Sequence, residues 1–195
     1  MMWLGATVGV AATVVGLTLA RGSGSGVAAA TLRPRCGVSV VLFEPNGLEA
    51  RIIDAATGGH GFSHVAIDGC ESDEHGRPLY IDCRPGLGVV RLHAAEYGGR
   101  PRVRVWLPRF EGRELYGCVR GRVGQPYDAL GLVVPRSGPV GGMICSQLVY
   151  ECLPASIRAA VPAWPKGRPV APNDIARGLG ARPGAGDITM EGPTT

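Results

Sequence analysis

Two residues with the right types to do thiol chemistry stand out. Cys145 opens a helical pattern, ICSQLVYECL over residues 144–153, directly after a Gly141-Gly142 turn. A thiol at the first turn of a helix faces unpaired backbone N–H groups and the positive end of the helix dipole. Both favour the thiolate, which is the nucleophilic form. Ser146 and Gln147 keep the first turn polar, while Leu148, Val149 and Cys152 supply a buried stripe that anchors the helix. His64 lies early in SHVAID (63–68), an alternating segment that predicts a strand. If Val65 and Ile67 face the core, His64 and Ala66 face the other way, where the helix tip carrying Cys145 is expected. The third residue is Asp82, in Tyr80-Ile81-Asp82-Cys83. A carboxylate on a neighbouring strand accepts from the imidazole N–H, fixes its tautomer and stabilises the imidazolium. Cys145 is thus the expected nucleophile, His64 its base and Asp82 the orienting acid.

These residues need a small scaffold, and the rest of the chain supplies one. Residues 38–44 (VSVVLFE) form a β-branched run that reads as a buried strand. Asn46 with Glu49 three residues on gives a capping-box pattern for a helix to about residue 57, stopped by Gly58-Gly59. Further strands are expected at 79–83, 88–92 and 103–107, and helices at 111–123, 144–153 and 172–177. The stretch from Cys70 to Pro78 is polar and turn-rich. The order of strand, helix, four strands and then helices predicts an α+β fold, a small antiparallel sheet packed against helices on one side.

The domain plan has four parts. Residues 1–21 form an apolar segment whose residues 3–20 carry no charge and are about long enough to cross a bilayer. A transmembrane helix and a secretory signal are the two readings, so the protein is expected to be membrane-associated or exported. The first positive charges follow the segment, a pattern that tends toward a cytoplasmic domain. Residues 22–35 are a Gly/Ser linker, 36–180 the folded domain, and 181–195 a Gly/Pro-rich tail expected to be disordered.

The bulk composition bounds the function. The chain has 195 residues, 45% of them apolar, with 31 Gly and 16 Pro, and a net charge of +4 spread along its length. No basic cluster marks a nucleic-acid partner. Six cysteines occur without a C-x-x-C pair or zinc spacing, so no metal or cofactor is expected. An even count fits disulfides and fits scattered buried thiols equally well.

Several blocks taken in order resemble a known family. They are Gly61-Phe62-Ser63-His64-Val65-Ala66-Ile67; Leu79-Tyr80-Ile81-Asp82 with Gly88-Val89-Val90; Gly124-x-x-Tyr127-Asp128-x-x-Gly131; Ile144-Cys145-Ser146-Gln147-Leu148-Val149; and Pro172-Asn173-Asp174-Ile175. Over residues 37–178 the chain resembles the circularly permuted, YiiX-like branch of the NlpC-type papain-like amidases, in which His precedes Cys. The resemblance implies a permuted papain-like fold and a thiol hydrolase acting on a small peptide or acylated substrate. It also implies a site-shaping or oxyanion role for Tyr127 and Ser63. Departures are Asp82 where Glu or another polar residue is commoner, Phe62 in place of Tyr, and no Asp after Gly37. A lipid-directed acyltransferase or thioesterase of the same fold, and a catalytically silent membrane-tethered scaffold, are the alternatives.

Overall fold

A computed structural model describes residues 31–32, 37–56, 58–128, 143–162 and 170–191. The fold is α+β. Its strands are β1 (Thr31–Leu32), β2 (Ser39–Phe43), β3 (His64–Ser72), β4 (Pro78–Arg84), β5 (Gly88–His93), β6 (Arg102–Trp106) and β7 (Ile188–Thr189). The helices are α1 (Leu48–Ala56), α2 (Arg109–Gly121), α3 (Cys145–Cys152), α4 (Ala155–Arg158) and α5 (Pro172–Gly178), with a 3-10 turn at Ala94–Tyr97. The sheet runs β5-β4-β3-β2-β6-β7, and β1 pairs with the far end of β3.

The central strand explains why the sequence carries an unbroken apolar run there. All five residues of β2 are buried, because β3 and β6 flank it and both faces of the sheet are covered. Val40 and Leu42 enter the main core with Val65, Ile67, Leu115, Val119, Leu148 and Val149, on the side of α2 and α3. Val41 and Phe43 enter a smaller cluster with Ala66, Tyr80 and Tyr97 on the opposite face. A disulfide, Cys118–Cys152, joins α2 to α3, with its Cα atoms 5.4 Å apart. Cys70 is also disulfide-bonded.

Three expectations change. The sheet is mixed rather than wholly antiparallel, since β6 and β7 are parallel. The stretch from 181 to 191, expected as part of a disordered tail, contributes β7: Met190 N–H donates to the Trp106 carbonyl at 2.9 Å, and Ile188 packs on the main core. Gly/Pro content set the expectation, and an available edge on β6 overrode it. The third change is in β3, which continues through Gly69-Cys70 to Ser72 where a turn was expected. The β3–β4 register shifts between Ile67 and Glu71, and Cys70 takes φ 60°. This bulge lets the strand pass under the Tyr116 ring, which occupies the place a Cβ at Gly69 would take.

The 3–20 segment lies outside the described residues, as do most of the linker, residues 129–142 and 192–195. Among the described residues no helix is long and apolar enough to cross a membrane.

Candidate active site

The first residue of α3 is Cys145, as the sequence pattern indicated. Ile144 is the extended N-cap, and no side chain caps the helix. The chain before it is held on two sides. Met143 N–H donates to the Pro126 carbonyl at 3.0 Å, and the Met143 carbonyl accepts from Asp128 N–H at 3.1 Å. The same carbonyl accepts from the Cys83 thiol at 2.9 Å. Behind the tip, Leu148, Val149 and Cys152 are buried in the main core. Ser146, expected at a polar first turn, is instead buried and donates through Oγ to the Val170 carbonyl at 2.6 Å, tying α3 to the entry of α5.

His64 begins β3, in register with Phe43 at the end of β2, itself opposite Arg102 at the start of β6. Its Nε2 lies 2.8 Å from Asp82 Oδ2, and the ring is close enough to Cys145 for the thiolate charge to act on it. With Nε2 on the carboxylate, Nδ1 is the nitrogen left for the sulfur. One detail of the expected geometry is corrected. The apolar side of α3 packs on the Val65 and Ile67 face, not on the face that carries Ala66. His64 is the first residue of β3, so its ring lies at the end of the sheet.

Asp82 is the hub of the site. It is fully buried, and its Oδ2 accepts from His64 Nε2, from the Tyr97 hydroxyl at 2.6 Å and from Arg84 Nε at 2.9 Å. Its Oδ1 accepts from Cys83 N–H at 2.7 Å. Burial alone would raise the carboxyl pKa, but His64, Tyr97 and Arg84 together hold it below the ordinary value. His64 shows the complementary balance. Burial pulls its pKa down, yet negative charge on Cys145 and on Asp82, with the hydrogen bond to Asp82, lifts it to about 10. An imidazolium is therefore the stable form of the ring across the neutral range when Cys145 carries its charge.

The other two expected residues are nearby in different ways. Tyr127 is half-buried against the main core and forms a single parallel bridge with Met143. Burial first, then the charges of Cys145, Cys83 and Asp82, push its hydroxyl pKa up, so it stays a neutral donor. It is delivered by a close approach of backbone: Val89 N–H donates to the Gln125 carbonyl at 2.8 Å. Gly88 permits this, with φ 74° and no Cβ to strike that carbonyl. Ser63 is buried next to His64; its N–H bonds the Phe43 carbonyl at 3.0 Å, and its Oγ accepts from Arg100 at 3.4 Å.

Four contributors were not anticipated: Tyr97, Arg84, Cys83 and Asn173. Arg84 was within reach, since Tyr80, Asp82 and Arg84 alternate onto one face of β4. Cys83 carried no such signal; it is a buried thiol whose pKa burial first, and then the neighbouring Cys145 and Asp82, raise to about 12. Tyr97 had no local signal, because the 3-10 turn after β5 carries it back over Asp82. Asn173 acts from α5: its Oδ1 accepts from Phe62 N–H at 3.0 Å and its Nδ2 donates to Asp54 Oδ1 at 2.9 Å. Asp54 Oδ1 also accepts from Gly61 N–H at 2.8 Å, so α1 and α5 jointly clamp the two residues that lead into Ser63 and His64.

Among the described residues no cluster of His, Cys, Asp and Glu could hold a metal ion. No family model matches this chain, and no curated protein matches it.

Proposed function

We propose that this chain is a cysteine-dependent hydrolase that cleaves amide bonds in a small peptide or acylated substrate, on a permuted papain-like fold. One observation carries the proposal: a single imidazole bonded to a buried carboxylate and under the charge of a free thiol at an uncapped helix tip. A structural histidine needs neither partner in that combination.

In the proposed cycle His64 takes the Cys145 proton through Nδ1, while Asp82 holds Nε2. The thiolate attacks the amide carbonyl carbon, and the oxyanion meets the Cys145 backbone N–H, with the neutral Tyr127 hydroxyl as a second donor. The C–N bond breaks as the imidazolium gives its proton to the leaving amine, leaving an acyl-thioester. Water, deprotonated by His64, then attacks the thioester; the acid leaves and the thiol is restored.

The order of the blocks, His before Cys, and a sheet with the Cys helix packed behind it support the permuted papain-like assignment. Two disulfides support an oxidising compartment and hence export of the domain. This weighs against the cytoplasmic placement suggested by the charges after residue 20.

The test is to trap and label. Iodoacetamide near neutral pH should modify Cys145 in the wild type, and Cys145→Ala should lose that label. Equal labelling of the two proteins would defeat the proposal. Intact mass after incubation with peptide amides should show a peptidyl adduct on Cys145. A fatty acyl adduct would instead favour the acyltransferase, and no adduct with any acyl donor the silent scaffold.

A further inference from the structure

Arg100, just before β6, is a partly buried arginine with no ion pair among the described residues. Arg84, Arg91 and Arg104 each pair with a buried carboxylate, Asp82, Glu71 and Asp68 respectively. Arg100 is partly buried, yet among the described residues its Nη2 meets only the Glu44 carbonyl at 3.2 Å and Ser63 Oγ at 3.4 Å. Its Nε is buried and has no hydrogen-bond partner. A guanidinium carries five donors, and most of these are idle.

Its surroundings make the excess charge sharper. Phe43 and Tyr97 stack with ring centroids 4.5 Å apart and planes within 9°. Arg100 sits over the Phe43 ring at 5.4 Å and Arg84 over the Tyr97 ring at 4.5 Å. Two guanidiniums thus lie on adjoining rings, with His64 within 5.9 Å of Phe43 by ring centroids. Burial lowers the Arg100 pKa first and the like charge of Arg84 lowers it further. The Asp82 carboxylate is already shared by His64, Tyr97 and Arg84. A strapping role for Arg100 accounts for the Nη2 bonds but not for a buried Nε without a partner, in a charge that Asp82 offsets without an ion pair while Arg84 repels it.

We propose that Arg100, with Arg84 beside it, forms an anion subsite next to the Cys145–His64 pair, and that the substrate carries a carboxylate a short distance from its scissile amide. The inference rests on the thiol-hydrolase proposal and names a substrate class for it. A carboxylate offers two acceptor oxygens to the idle guanidinium N–H groups and relieves the repulsion between the two arginines. Substrates ending in a neutral amide at the same place lack both effects.

The experiment uses haloacetamides as probes of the full chain. One series carries a short N-linked chain of one to three methylenes ending in a carboxylate, the other the same chain ending in a carboxamide. The second-order rate of Cys145 alkylation is measured for each at fixed ionic strength. At one chain length the acid should react about tenfold faster than its amide, the scale of one charge-assisted hydrogen bond. The ratio should fall to near unity in Arg100→Gln and be partly kept in Arg100→Lys. The ratio cancels any general change in thiol reactivity. No preference for the acid at any length, or a preference that Arg100→Gln leaves intact, overturns the subsite. If Arg100→Gln does not fold, glutarate must slow alkylation of the wild type by the neutral series; no protection overturns it equally. Labelling of wild-type Cys145 no faster than an ordinary free thiol by every reagent is a different failure, that of the thiol-hydrolase proposal, and the subsite falls with it.

Discussion

The sheet contains two buried carboxylates built from the same parts. Asp82 on β4 accepts from Arg84 and from the Tyr97 hydroxyl. Glu71 on β3 accepts from Arg91 Nε at 2.7 Å and from the Tyr116 hydroxyl. Both acids are almost wholly buried, and both tyrosines have raised pKa values, through burial first and the adjoining carboxylate second. The Glu71 site closes on itself: acid, arginine and tyrosine satisfy one another beside the β3 bulge. The Asp82 site has one extra member, His64, which opens it toward a free thiol. An acid held by arginine and tyrosine is thus structural equipment, and a histidine between that acid and a cysteine is what the proposed chemistry adds.

The widest separation between the two sites should come from His64→Gln and Glu71→Gln. The first is expected to slow Cys145 alkylation near pH 7 by about 100- to 10,000-fold, and also to lower stability, because buried Asp82 loses its imidazolium partner. The second should leave the alkylation rate within about twofold and cost about 2–4 kcal/mol in denaturant unfolding, because Arg91 loses its partner. Similar rates in the two variants would erase the distinction.

Asp82→Asn should slow alkylation by about ten- to a hundredfold, since the amide oxygen still accepts from the ring but no longer carries charge. Its pH behaviour has a definite sign. The folded pKa of Asp82 lies below its ordinary 3.8, so the charge stabilises the fold above that value and the benefit is lost as pH falls through the folded pKa. The stability gap between wild type and Asp82→Asn should therefore narrow below pH 3.8, read from unfolding curves across an acid series. A gap that widens in acid would contradict the assignment.

The tyrosines give a smaller contrast. Tyr97→Phe and Tyr116→Phe should each cost about 1 kcal/mol, but only Tyr97→Phe should alter Cys145 reactivity, by about two- to fivefold. The smallest effect concerns Cys83 and Cys145, the two free thiols among the described residues. Without reductant, peptide mapping after brief alkylation should find the label on Cys145 and none on Cys83, whose thiol is buried and shifted up to about 12. Label on Cys83 would show a more open site than the structure has.

The trio proposed to be catalytic was legible because each member sits in an element with a local signal. Cys145 opens a helix, His64 lies on an alternating strand and Asp82 on a short strand. The β2 run and the helical spacings placed most of the scaffold in the same way. Tyr97 was not legible, since its approach to Asp82 depends on a 3-10 turn with no periodic pattern. Nor was the Asn173–Asp54 clamp, which joins residues 119 positions apart through amide and carboxylate contacts that composition does not encode. The sheet face carrying His64 could be read from alternation, but the side on which α3 packs could not, because both faces of the central strand are apolar.

The central claim is that a proton is shared between the His64 ring and the Cys145 sulfur, and His64 NMR titration addresses it most directly. The ring should titrate near 10 in the native chain, against an ordinary 6.5, and move markedly downward in Cys145→Ala. In stability terms the ring's proton contributes fully below pH 6.5 and its contribution fades as pH rises toward 10. A native His64 that titrates near 6.5, or one that Cys145→Ala leaves unmoved, would contradict the account.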